Sequence, residues 1–152
     1  MAVPSWVLGH EFLHSVGYPD LYRNDDRTGI PVGMWDIMAS NSIFMQYPLA
    51  YMRYSVSGWL DAKTVTQDGT YTLEPASARS GNRLYLLKTP LSDTEFFAVE
   101  FRQKGTPYSE EMDVKIYGTG MVVYRVNTEI HGNHGASGDQ IYVFRPEETG
   151  LD

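Results

Sequence analysis

The 152-residue sequence contains no cysteine. That excludes disulfide frameworks, thiolate nucleophiles and cysteine-ligated zinc, so any metal it binds must be held by histidine and carboxylate. A long apolar run is missing too: Arg53 interrupts the most hydrophobic stretch well short of the roughly 18 residues a membrane span requires. Positive charge is scarce. Twelve Lys and Arg stand against nineteen Asp and Glu, a formal charge of −7, and no basic run exceeds two residues. Binding to a phosphate backbone is therefore not expected. The opening MAVPSWVLGH has neither the basic start nor the apolar core of a secretory signal peptide. With 42% hydrophobic and 20% charged residues, the composition is that of a globular domain rather than a disordered segment or a coiled coil.

What is present changes character near residue 60. All three Trp and five of the seven Met lie before it. Residues 5 to 16 are predicted to form a helix, with Ser5 as N-cap, apolar surface from Trp6, Val7, Leu8, Phe12, Leu13 and Val16, and Gly17 as the stop. Residues 18 to 46 are punctuated by Pro19, Gly29, Pro31 and Gly33, and an irregular stretch of that length is usually functional. A second helix is predicted from Pro48 to Gly58. After Asp61 the period becomes two, in TYTLEP (70–75), RLYLLK (83–88), EFFAVEF (95–101), MVVYRV (121–126) and IYVFR (141–145). Five such strands imply an antiparallel sandwich or open barrel. The expected fold class is α+β, with a helical unit over 1–60 and an antiparallel β module over 61–152.

The most informative segment is HEFLHSVGYPD, residues 10 to 20. On a helix, residues four apart share a face, so His10 and His14 can present two imidazoles to one metal ion. Glu11 sits beside them, placed to take a proton from a water activated by that metal. Zinc suits the pattern because a catalytic zinc uses three protein ligands and keeps a fourth position open. Composition alone would produce HExxH in roughly 0.6% of chains like this one, and the pattern extended to Gly17 and Asp20 in roughly four per 100,000. Gly17 can adopt the left-handed turn that ends the helix and brings the chain back beneath the metal. Asp20 can then supply the third ligand. Read as an ordinary turn residue after Pro19, Asp20 would leave that role to Asp25, Asp26 or another acidic group.

HEFLHSVGYPDLY, followed eighteen residues after Asp20 by the Met of GMWDIMAS, resembles the immune inhibitor A family of secreted bacterial zinc metallopeptidases, which are similar to metzincins. Gly58-Trp59-Leu60 and the segments EFFAVEFRQ and GTGMVVYRV extend the resemblance over most of the chain. It implies an active-site helix, a Met-turn loop and a second helix ahead of the β module. It implies His10, His14 and Asp20 as zinc ligands, Glu11 as general base, and Met38 as the Met of the turn beneath the metal. It further implies a protein or peptide substrate, secretion or cell-surface location, and a chain that is the C-terminal part of a larger catalytic region. Leu13 stands where the family usually has Gly, a difference of packing rather than chemistry.

Fainter signals surround this core. RNDDRTG (23–29) offers carboxylates for Ca2+ but lacks the spacing of a known calcium loop. HGNHGASGD (131–139) reads as a mobile surface loop with two histidines, the alternative being an accessory metal or substrate contact. Tyr47 and Tyr51 are candidates for contacting an oxyanion, without assignment. Glu110, Glu111 and Asp113 read as exposed acidic surface. A reading from a different class is a non-catalytic β-rich binding or adhesion module in which the helix is structural.

Overall fold

The computed structural model describes residues 4–24, 29–40, 44–105 and 112–145, which form two helices and one mixed sheet. Helix α1 spans Ser5–Ser15, and the position before it is Pro4 rather than the expected Ser5 cap. Only His10 and Leu13 of α1 are buried. Leu8, Phe12 and Val16, expected to supply apolar packing, are instead 63%, 60% and 40% exposed. The reason is angular: positions 8, 11, 12 and 15 share a helix face, and the fold buries the opposite one. The C-terminal end follows expectation. Gly17 takes φ +99°, its N–H bonds the His14 carbonyl, and the Tyr18 N–H reaches back to the Leu13 carbonyl. This is a Schellman motif sealed by the buried Leu13 and Tyr18 side chains.

Helix α2 is shorter than predicted, Ala50–Ser55, because its start is fixed by distant side chains. The Leu49 N–H donates to Asp36 Oδ2 at 2.6 Å, the Ala50 N–H to Glu100 Oε2, and the Tyr51 N–H to the Tyr124 hydroxyl at 3.0 Å. These satisfy amide groups that a helix N-terminus leaves without intrahelical partners.

The strands are β1 (Lys63–Thr64), β2 (Tyr85–Lys88), β3 (Glu95–Arg102), β4 (Gly120–Asn127) and β5 (Ile141–Val143), lying side by side in chain order. β1 pairs with β2 in parallel and the other neighbours are antiparallel. Among the described residues there is thus one five-stranded mixed sheet, not a sandwich. TYTLEP is not a strand. The edge of β2 is taken by β1, and Pro75, which has no N–H to donate, makes only an isolated bridge with Phe101. One cluster joins Leu13, Tyr18, Leu21, Met38, Leu49 and Met52 to Leu84, Leu86, Ala98, Tyr124, Val126, Ile141 and Val143. The helices and the long loop pack on one face of the sheet.

Charge is embedded in that packing. Arg102, Glu100, Asp113 and Asp36 are all fully buried. Arg102 bonds both Asp113 oxygens at 2.6 and 2.9 Å, Glu100 at 3.0 Å, and the carbonyls of Trp35 and Tyr47 at 2.6 and 3.2 Å. Asp113 is accordingly no part of an exposed acidic surface, because it carries half of a buried bidentate ion pair. Glu110 and Glu111 lie outside the described residues. This arginine ties the sheet to the loop entering α2 and to the turn that follows Trp35.

Candidate metal centre

Three side chains converge at the end of α1. His10 Nε2 lies 3.3 Å from Asp20 Oδ1, His14 Nε2 lies 3.2 Å from the same oxygen, and the two Nε2 atoms are 3.2 Å apart. Their rings meet edge to face, with centroids 4.8 Å apart. His10 is buried, while the side chains of His14 and Asp20 are 33% and 21% exposed.

Backbone carbonyls set the imidazole orientation. His10 Nδ1 is 3.0 Å from the Ile37 carbonyl and His14 Nδ1 is 2.8 Å from the Tyr18 carbonyl. A carbonyl only accepts, so both Nδ1 atoms carry the proton and donate, and in the neutral rings both Nε2 lone pairs point inward. They meet Asp20 Oδ1, which is buried and has no hydrogen-bond partner. Three acceptors at van der Waals distance repel one another, and a buried oxygen without a donor is costly. A cation satisfies all three at once. Four-coordinate tetrahedral binding with bonds of about 2.0–2.1 Å separates ligand atoms by about 3.3–3.4 Å, close to the observed triangle. His10, His14 and Asp20 therefore form a cluster able to coordinate a metal ion.

The turn below His10 supplies one of these orienting carbonyls. Asp36 Oδ1 accepts from the Met38 N–H at 2.7 Å, and the Ala39 N–H bonds the Asp36 carbonyl at 3.0 Å. The Ile37 carbonyl is thereby held toward the ring, with Met38 fully buried in the same turn. Burial raises the Asp36 carboxyl to about 6, although the amides of Leu49 and Met38 and the Arg102 charge pull it back down. Donation of a ligating histidine's second nitrogen to a carbonyl is the usual means of fixing its tautomer and ring plane.

Glu11 is exposed and is not among the three converging groups. Its charge nevertheless reaches Tyr22. The Tyr22 hydroxyl is pushed up first by burial, then by the Asp20 charge and a hydrogen bond to that carboxylate, and then by Glu11. Tyr22 thus stays a protonated donor beside the cluster, a residue the motif reading overlooked even though it stands two positions after Asp20. Tyr47 and Tyr51 are engaged elsewhere, Tyr47 beneath the Arg53 guanidinium and Tyr51 against Phe96.

The HGNHGASGD segment is not merely a surface loop. His131 and His134 are exposed, but Asn133 between them is fully buried and hydrogen-bonded to the segment that carries Asp20. Asp25, Asp26 and most of the calcium candidate RNDDRTG lie outside the described residues. Comparisons with known protein families, with curated proteins and with solved structures found no match to this chain. No helix among the described residues is long and apolar enough to cross a membrane.

Proposed function

We propose that this chain carries the metal centre of a zinc-dependent endopeptidase of the immune inhibitor A type, acting outside the cell or at its surface. The observation that carries the reading is the convergence of His10 Nε2, His14 Nε2 and the partnerless Asp20 Oδ1 within 3.2–3.3 Å of one another. Two imidazoles and one carboxylate are a donor set typical of catalytic zinc, and a fourth position is left for chemistry. Zinc held there supplies Lewis acidity that polarises a peptide carbonyl and lowers the pKa of water towards neutrality.

His10 and His14 would hold the ion through their Nε2 lone pairs, because their Nδ1 protons are anchored on the carbonyls of Ile37 and Tyr18. Glu11, one residue beyond His10 and on the exposed side of α1, takes the proton from the attacking water and passes it to the leaving amine nitrogen. Met38, fully buried beside the Ile37 carbonyl that meets His10, takes the part of the Met of the family's turn.

The test is Glu11→Gln in the zinc-loaded chain, assayed on an unstructured protein substrate. Zinc content should stay near wild type while hydrolysis falls by at least about 10²-fold. Near-normal cleavage would remove Glu11 from the mechanism.

A further inference from the structure

Asp20 lies beyond the end of α1, and its position is built by the far end of the chain. The Asn133 N–H donates to the Asp20 carbonyl at 2.8 Å, and Asn133 Nδ2 donates to the Leu21 carbonyl at 3.1 Å. The same amide closes on β5, Nδ2 donating to the Ile141 carbonyl at 2.8 Å and Oδ1 accepting from the Ile141 N–H at 3.0 Å. Asn133 is fully buried, so one side chain bridges the ligand-bearing segment and a sheet strand. On the opposite side the Leu21 N–H bonds the Met38 carbonyl at 2.9 Å.

Two neighbouring features reinforce the bridge. Gly132 has φ +74°, and a Cβ there would stand 2.8 Å from the Asp20 carbonyl oxygen and 3.0 Å from Pro19 Cβ. The close approach of the loop to Pro19 and Asp20 thus requires glycine. Arg23 and Asp139 form a two-point ion pair, Nε to Oδ1 at 3.1 Å and Nη2 to Oδ2 at 2.5 Å, with both side chains at most 10% exposed. The loop between β4 and β5 therefore grips residues 19–23 at three places.

We propose that Asn133, supported by the Arg23–Asp139 pair, is a positioning residue of the metal centre, fixing the backbone from which Asp20 reaches the ion. This inference rests on the zinc reading above. Partners that orient metal ligands typically change affinity by about 10–100-fold when lost. The hydrogen bonds from Asn133 reach the backbone of Asp20 and Leu21, whereas the carbonyls that orient the histidines belong to Tyr18 and Ile37. The effect should therefore travel through Asp20 alone.

The experiment measures zinc dissociation constants of the full chain by competition with a chromogenic chelator. Asn133→Ala and Asp139→Asn are made with Asp20 present and in the Asp20→Ala background, with folding followed by far-UV circular dichroism. With Asp20 present, Asn133→Ala should weaken zinc binding about 10–100-fold and Asp139→Asn should weaken it in the same direction. In the Asp20→Ala background neither should weaken it further. Asp139→Asn is nearly isosteric and carries the comparison if Asn133→Ala does not fold. A folded variant with unchanged affinity, or an equal loss in both backgrounds, would overturn the inference while leaving the metal centre standing. A wild-type chain that binds no zinc would overturn both.

Discussion

Replacing Arg102 by Met should be among the most damaging single changes in the protein. The guanidinium is fully buried, and its removal deletes bonds to Asp113, Glu100 and the carbonyls of Trp35 and Tyr47. Asp113 would keep the Tyr47 N–H at 3.0 Å, and Glu100 the Ala50 N–H and the Tyr124 hydroxyl. Neither would keep a bonded counter-charge. Leaving a buried charge without its partner costs about 3–5 kcal/mol, out of a total stability of about 5–15 kcal/mol for a domain. Urea denaturation followed by tryptophan fluorescence at pH 7.5 should show a loss in that range. The orphaned carboxylates can escape by taking up protons, so the deficit should shrink at pH 5. Adding Glu100→Gln and Asp113→Asn should recover part of the stability at pH 7.5. A deficit below about 1 kcal/mol, or one that does not change with pH, would refute the view that this ion network is a buried structural joint.

Asp36 should leave its own mark on pH dependence. Its folded carboxyl is raised from 3.8 to about 6 by burial, so it favours folding most below pH 4, and that contribution is lost as pH rises through 6. The gap of about two pH units corresponds to about 3 kcal/mol. Chelator-treated wild type should therefore lose about that much stability relative to Asp36→Asn between pH 4 and pH 7, and a pH-independent difference would contradict the assignment. Gly17→Ala would place a side chain at φ +99° while its Cβ meets only Val56 at an ordinary 3.5 Å. The cost should be the backbone strain alone, about 1–2 kcal/mol by thermal or chemical denaturation, and a neutral substitution would show that the turn relaxes.

The three residues of the metal-binding cluster were legible because their spacing is local. A four-residue repeat puts His10 and His14 on one helix face, and Gly17 alone announces the turn that brings Asp20 back. The burial pattern of α1 was not legible, since the apolar residues at 8, 12 and 16 satisfy a helical period as well as the face that packs. Strands β2 to β5 were visible through alternation, whereas β1, two exposed residues long, carries no hydrophobic signal. TYTLEP alternates equally well, yet the position beside β2 is already occupied. Least visible were the long-range polar partners. Asn133, Arg102 and Asp113 look like surface residues until folding buries them, and their roles depend on partners up to 112 positions away.

The central claim is that His10, His14 and Asp20 bind one metal ion as a unit. X-ray absorption spectroscopy on the full chain loaded with one equivalent of zinc tests it most directly. A shell of two imidazole nitrogens with the remaining ligands oxygen, at about 2.0–2.2 Å, is expected, with one imidazole lost in His10→Ala and in His14→Ala. A shell without imidazole, a shell with three that draws in His131 or His134, or one unchanged by either substitution would contradict it.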